Sequence, residues 1–496
     1  MVRPGSAKYT LSGLVTFTWR PATSSSIEGV FVGDMAARYR AGWRPARRMG
    51  GGPGLQVPPH PPGTVTGVMM WRDGVVRGLG RAWDGAVELD VEIRGGAPSG
   101  ASAGTPATPS GGPTETLTTP SGAPAEALTT PSGAPAEAPA PLGAGSRVRA
   151  LAYPELVGVP APGDRVTLTT AALARGLGTG GYAMVVALPD RLPADPPPAP
   201  GHLVKARYTP LQTMLLGADE QESAHHEVLR DADDLGGMPV VVADLHSALP
   251  AVVAGLRTVS PALRVAYVMT DGGALPAWFS RTLAALREAG WLAGSVTVGQ
   301  AFGGDLEAVS LHSGLLAARL VLGADVAIVA QGPGNLGTGT RWGFSGTVCG
   351  DAVNAIATLG GAPVASLRVS GADPRDRHRG VSHHSLTAYG RVALAAADVV
   401  VPRFDAGTDL EAALPPGLTE RVRAQAATLA APDGRHRLVE VSTAGLADGL
   451  AAAPVRLSTM GRGLDEDPAA FLAAGVAGVH AARLARPAHA QASHAR

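Results

Sequence analysis

The chain has 496 residues, and its 41 Lys+Arg are balanced by 41 Asp+Glu, so no basic excess draws it to nucleic acid or to an anionic membrane surface. Its 66 Gly and 42 Pro make up about a fifth of the residues, which marks part of the chain as low-complexity. The single cysteine, Cys349, excludes an intramolecular disulfide framework and a cysteine-based zinc cluster. With no apolar run of roughly 18 residues and no secretory signal at Met1, the expected setting is the cytoplasm, with neither membrane nor nucleic acid as partner.

In chain order, residues 1–62 have few apolar positions and no steady period, and read as a disordered extension. A small β-barrel-like domain is expected over 63–95 and 146–200. Its clearest strand signal is Val87 to Ile93, where apolar and acidic residues alternate strictly. It is interrupted by a Pro/Ala/Thr/Gly-rich insertion over 96–145, with an 11-residue repeat built on Thr-Pro-Ser-Gly at Thr108, Thr119 and Thr130. This segment has no apolar face to bury and is expected to be dispensable for folding.

From 201 to 460 the pattern changes. Short continuous apolar runs recur at Met238–Ala243, Arg264–Met269, Ser295–Gly299, Asp325–Ala330, Pro363–Val369, Asp398–Val401 and Arg437–Val441. Such runs suit strands buried on both faces. Between them lie helix-length stretches such as Pro276–Ala289, Leu306–Leu322 and Thr347–Leu359. Strand alternating with helix predicts an α/β domain with a doubly wound, mostly parallel, Rossmann-like sheet. A C-terminal helix and tail is expected over 461–496.

In an open parallel sheet, ligands bind beyond the carboxyl ends of the strands. Five successive strand ends are polar or glycine-rich, and they supply the candidate site. Asp244, His246, Asp271, His383 and His384 are acid–base candidates; Asp244 and His246, alternate residues at a strand end, could also ligate a metal or pair as base and orienting carboxylate. Gly272, Gly273, Gly303, Gly304, Asp305, Gly332, Gly334, Asn335, Gly337, Thr338 and Arg341 form the loop rim, whose glycines can present backbone N–H groups to an oxyanion. Asp373, Arg375, Arg377, His378 and Arg379 form a cationic loop suited to phosphate or carboxylate. Lys205 is one of two lysines beside 39 arginines. Its ammonium is a compact point charge that guanidinium does not replace, so it is expected to line the same crevice as an electrostatic or nucleophilic partner.

Several strings, Lys205 to Gln212, Met269 to Ser280, Phe302-Gly303-Gly304-Asp305, Gly332-Pro333-Gly334 and Ala372 to Gly380, stand in the order in which they recur in a bacterial family known only as a domain of unknown function. From about Gly63 to Arg403, apart from the insertion, the chain resembles that family. The resemblance implies no reaction. The residues themselves point to an enzyme, a hydrolase or transferase, acting on a small phosphorylated or carboxylated molecule. The alternative is a non-catalytic metabolite-binding or sensor protein using the same crevice. No motif names a cofactor, and a divalent metal and a homo-oligomer are left open.

Overall fold

The computed structural model describes residues 69–96, 142–405, 407–430 and 435–485. The extension 1–62 and most of the insertion lie outside the described residues, as does the chain after 485.

Five strands, β1 (Trp71–Trp83), β2 (Ala86–Gly96), β3 (Arg147–Ala152), β4 (Arg165–Thr169) and β5 (Ala183–Ala187), close a barrel in the order β1-β2-β3-β5-β4. The alternation seen from Val87 sends Leu89, Val91 and Ile93 into its interior, where they meet Val148, Val166, Leu168 and Val185. Because Glu92 pairs with Arg147 across β2 and β3, the insertion leaves and re-enters the barrel at neighbouring strand ends.

A short hairpin of β6 (Leu203–Lys205) and β7 (Thr213–Leu215) leads into the α/β layer. Its strands are β8 (Pro239–Val242), β9 (Val265–Thr270), β10 (Gly294–Thr297), β11 (Leu306–Glu307), β12 (Val326–Gln331) and β13 (Ala362–Ser366). Beyond a hairpin of β14 (Val369–Ser370) and β15 (Gly380–Val381) follow β16 (Asp398–Arg403) and β17 (Arg437–Ser442). They form one parallel eight-stranded sheet in the order β11-β10-β9-β12-β8-β13-β16-β17. Alternate residues feed two cores, one on each face. Val240, Val242 and Val268 pack with Leu315 of α3 (Leu311–Leu320) and Val353 of α4 (Val348–Thr358). Val241, Tyr267 and Met269 pack against α1 (Leu249–Val259) and against Phe471 of α8 (Pro468–Leu484). Between these pairs lie α2 (Arg281–Glu288), α5 (His383–Thr387), α6 (Leu418–Ala430) and α7 (Leu446–Ala451).

Some expectations change, among them the stretch Pro276–Ala289, which is α-helical only over Arg281–Glu288. The predicted helix Leu306–Leu322 is shorter, because Leu306 and Glu307 pair with Val296 and Thr297 as an edge strand and the helix starts only after the Ser310–Ser313 capping box. The C-terminal helix, expected beyond the 201–460 α/β domain, belongs to that domain's core, since 14 of the 17 residues of α8 are buried. Among the described residues, no helix is long and apolar enough to cross a membrane.

Candidate functional site

The barrel and the carboxyl ends of the central strands face one another across a cleft of about 490 Å³. The barrel docks through aromatic contacts. Trp83 Nε1 donates to the Trp278 carbonyl at 2.7 Å, and Tyr153 of the barrel lies against Trp278 with ring centroids 6.1 Å apart. Among the described residues the cleft lining includes Arg81, Arg149, Arg281 and Arg456 and no Asp or Glu. Behind Arg81 and Arg149, Glu88 accepts from Arg81 Nη2 at 3.0 Å, from Arg149 Nη2 at 3.1 Å and from the Tyr182 hydroxyl. Burial opposes its ionisation, but the Tyr182 hydroxyl and Arg81 outweigh burial and hold its pKa at about 2. One carboxylate thus serves two arginines, and the cleft keeps a positive excess.

On the sheet side of the cleft lie His246 and Ser280. After β8, a single turn over His246–Ala248 leads into α1 and buries the imidazole. Ser280 is the N-cap of α2, its Oγ accepting from Leu283 N at 2.9 Å. Ser280 Oγ is also 2.6 Å from His246 Nε2, and His246 Nδ1 is 3.0 Å from the Tyr267 hydroxyl. That hydroxyl donates to the carbonyls of Ala330 and Gln331, at 3.2 and 3.1 Å. With its single proton directed at these carbonyls, the hydroxyl accepts from His246 Nδ1–H, the tautomer that turns the Nε2 lone pair to the Ser280 hydroxyl. Burial keeps this imidazole neutral down to a pKa of about 4.

A second polar group sits beside the cleft wall. Asp244 is buried, with its Oδ2 3.4 Å from His384 Nδ1 and 3.6 Å from Arg368 Nη1. Burial raises its pKa, but His384 and Arg368 together bring it below the usual carboxylate value. His384 is stacked face to face on Phe344 at 3.9 Å and accepts from Arg368 Nη1 at 3.0 Å. The His378 and His383 rings lie 5.0 and 4.4 Å from it, centroid to centroid. One ligand atom from each of the three histidines lies within 4.8 Å of the other two.

Residues 149–478 match the family described as a protein of unknown function (DUF3866), which spans well over half of the chain. The chain belongs to that family. No curated protein and no solved structure matches it.

The sequence-derived candidates divide by place. His246, Gly332, Gly334 and Asn335 line the cleft of this DUF3866 chain, together with Gln331, which the sequence did not single out. Gly272 and Gly273 underlie that loop. A Cβ on Gly273 would lie 2.1 Å from the Gly332 carbonyl, so the two strand-end loops touch backbone to backbone. Asp271 braces the next loop by accepting from Gln300 N at 2.8 Å, and Gly303 and Gly304 let Trp278 and Thr297 approach. Gly337, Thr338 and Arg341 lie on the loop beyond, where Thr338 N donates to the Gly343 carbonyl and Thr338 and Arg341 are exposed.

Other candidates are engaged elsewhere. Asp305 immediately precedes edge strand β11, where its carboxylate accepts from Ser295 N at 2.7 Å and pairs with Arg287, so it stands at the amino edge of the sheet. Asp373 is buried and accepts from Arg375 Nε and Nη2, both at 3.0 Å, and from Arg462 Nη2 at 3.2 Å. Burial resists ionisation, yet Arg375 holds this carboxyl well below its usual range. Arg379 reaches the Asp373 carbonyl, and exposed Arg377 lies beside Gly339. Arg375 of the cationic loop therefore closes on the loop's own acid. Asp244 does not orient His246, since the chain turns between them and sends Asp244 to His384 and His246 to Tyr267. Lys205 is fully buried away from the cleft, donating to the carbonyls of Thr297 and Ala301 at 2.9 and 2.7 Å and to Glu307 Oε2 at 2.8 Å. Sequence reading missed Ser280, Tyr267 and the cleft arginines. Ser280 lies inside the predicted helical stretch Pro276–Ala289, and it becomes an N-cap because the helix starts only at Arg281.

Proposed function

We propose that this chain is an enzyme, a hydrolase or transferase, that takes a small carboxylated or phosphorylated molecule into the cleft between barrel and strand ends. The observation that carries the reading is Ser280 Oγ at 2.6 Å from His246 Nε2, in a cleft whose described lining holds four arginines and no carboxylate. The strand order reverses around β12, β8 and β13, where a Rossmann-like sheet binds its ligand. Arg281 and Arg456 would hold the anion, with Arg81 and Arg149 on the facing wall. Ser280 Oγ would attack the carbonyl carbon or phosphorus while its proton passes to His246 Nε2, and the imidazolium would return that proton to the leaving group. The first-turn N–H groups of α2 favour the oxyanion that forms.

The test is reaction of the folded chain with a fluorophosphonate, followed by intact mass and peptide mapping. One adduct is expected, on Ser280, slowed by added phosphate or citrate, absent from Ser280→Ala and much slower in His246→Gln. Folded protein with no adduct on Ser280 overturns the reading. One observation favours a second, non-catalytic reading as a metabolite sensor: Tyr267, and not a carboxylate, stands behind His246. A sensor would gain thermal stability from the anion equally in wild type and Ser280→Ala, and lose it in Arg281→Ala and Arg456→Ala.

A further inference from the structure

We propose that His378, His383 and His384 bind one divalent first-row transition metal, zinc by default, in a site of their own beside the cleft. The inference is independent of the role given to Ser280 and His246. Three imidazoles with no thiolate and no carbonyl cage suit zinc, cobalt or nickel and not magnesium or calcium. Their ligand atoms already lie within 4.8 Å of one another. Zinc–nitrogen bonds of about 2.1 Å at tetrahedral angles place ligand nitrogens about 3.4 Å apart, so rotation of side chains suffices to close the site.

The surroundings match what such ligands require. His378 Nδ1 is held by Ser382 Oγ at 2.7 Å, which directs Nε2 as its ligating atom. His384 Nδ1 faces Arg368 and Asp244, so Nε2 is its ligating atom as well. A metal on that nitrogen places the proton on Nδ1. The acceptor for this proton is in place: Asp244 Oδ2 is a buried carboxylate oxygen with no hydrogen-bond partner, 3.4 Å from Nδ1. Metal binding would complete a carboxylate–histidine–metal relay and turn Arg368 from the ring to the carboxylate. Burial of His378 and His384 and the stacking of His384 on Phe344 restrict the rings to small rotations, such as those that close the site. Three protein ligands leave a position open, as catalytic rather than structural zinc sites do. Asn335, which lines the cleft, comes within 3.5 Å of His384 Nδ1, so the site adjoins the cleft wall.

The test uses the full chain, stripped with EDTA and titrated with cobalt(II), then zinc. The expected result is one equivalent of cobalt with the visible bands of a four- or five-coordinate ion, no thiolate charge-transfer band because Cys349 is not a ligand, and displacement by zinc. His378→Ala and His383→Ala should lose at least about 100-fold in affinity, and Asp244→Asn about 10–100-fold as a second-layer partner. Exposed His202→Ala and His312→Ala should bind as wild type does. Should the buried variants fail to fold, wild type still decides. A folded wild-type chain that takes up no cobalt or zinc at micromolar concentration, or binding undiminished in folded cluster variants, overturns the proposal.

Discussion

Lys205 shows why one cation was kept as lysine in an arginine-rich chain. Its ammonium meets two carbonyls and Glu307 in a fully buried pocket, where three donors from one atom fit and a planar guanidinium does not. Burial lowers the pKa of Lys205 and raises that of Glu307, each opposed by the other's charge. Lys205→Met should therefore leave a buried unpaired carboxylate and cost about 3–5 kcal/mol in urea unfolding, much of it recovered in Lys205→Met with Glu307→Gln. His246 gives a pH signature. Its folded pKa of about 4 lies below its ordinary 6.5, so between those values the unfolded chain binds the extra proton. Its contribution to stability is complete above pH 6.5 and fades as pH falls toward 4, by on the order of 3 kcal/mol. Urea unfolding of wild type and His246→Gln across that range should show a slope steeper in wild type by this one proton. Turnover that depends on His246 as base should likewise persist to about pH 5.

At the scale of elements, the tightest contact is between α1 and α8. A Cβ on Gly255 would lie 1.9 Å from the Gly475 carbonyl, and one on Gly478 would lie 2.0 Å from the Val252 carbonyl. The helices touch through their backbones, and their flanking Leu256, Phe471 and Leu472 share one core under the sheet. Gly478→Ala would force them apart, and about 1–3 kcal/mol should be lost in urea unfolding. The apolar content of α8 was visible as a C-terminal helix. Its burial on nearly every side follows from packing against both α1 and the sheet, which no period in its own residues reveals.

For the whole molecule, the cleft exists only because the barrel docks. Gly85, with φ +78°, turns β1 into β2 directly against Trp278, and a Cβ there would lie 2.1 Å from the Trp278 ring. Gly85→Ala should loosen this contact, shift tryptophan fluorescence and weaken anion binding, while circular dichroism stays that of the folded chain. The insertion offers the opposite expectation. Leu142 packs on the barrel and its carbonyl accepts from Arg72 Nε at 2.7 Å, so the chain is needed from 142 onward. Replacing residues 98–141 with a short Gly-Ser linker should move the melting temperature by only a few degrees, because β2 and β3 already meet at its ends.

What the sequence determined by itself is local. The run Met238–Ala243 is a strand because continuous branched apolar residues suit a strand buried on both faces, and β8 forms inside it at Pro239–Val242. The alternation from Val87 likewise gave a strand with one face in the barrel. Only the tertiary structure decided which strand ends meet. Ser280 reaches His246 across 34 residues because β9 lies two places from β8 in the sheet, with β12 between them. The same ordering sends Asp244 to His384, 140 residues on, and not to His246, two residues on. The cationic loop looked like an anion clamp because its charges are close in sequence; Asp373 neutralises Arg375, and with it Arg462 from 89 residues away. Strand type follows from periodicity within a few residues, whereas side-chain partnership depends on crossover order, which no window of that length contains.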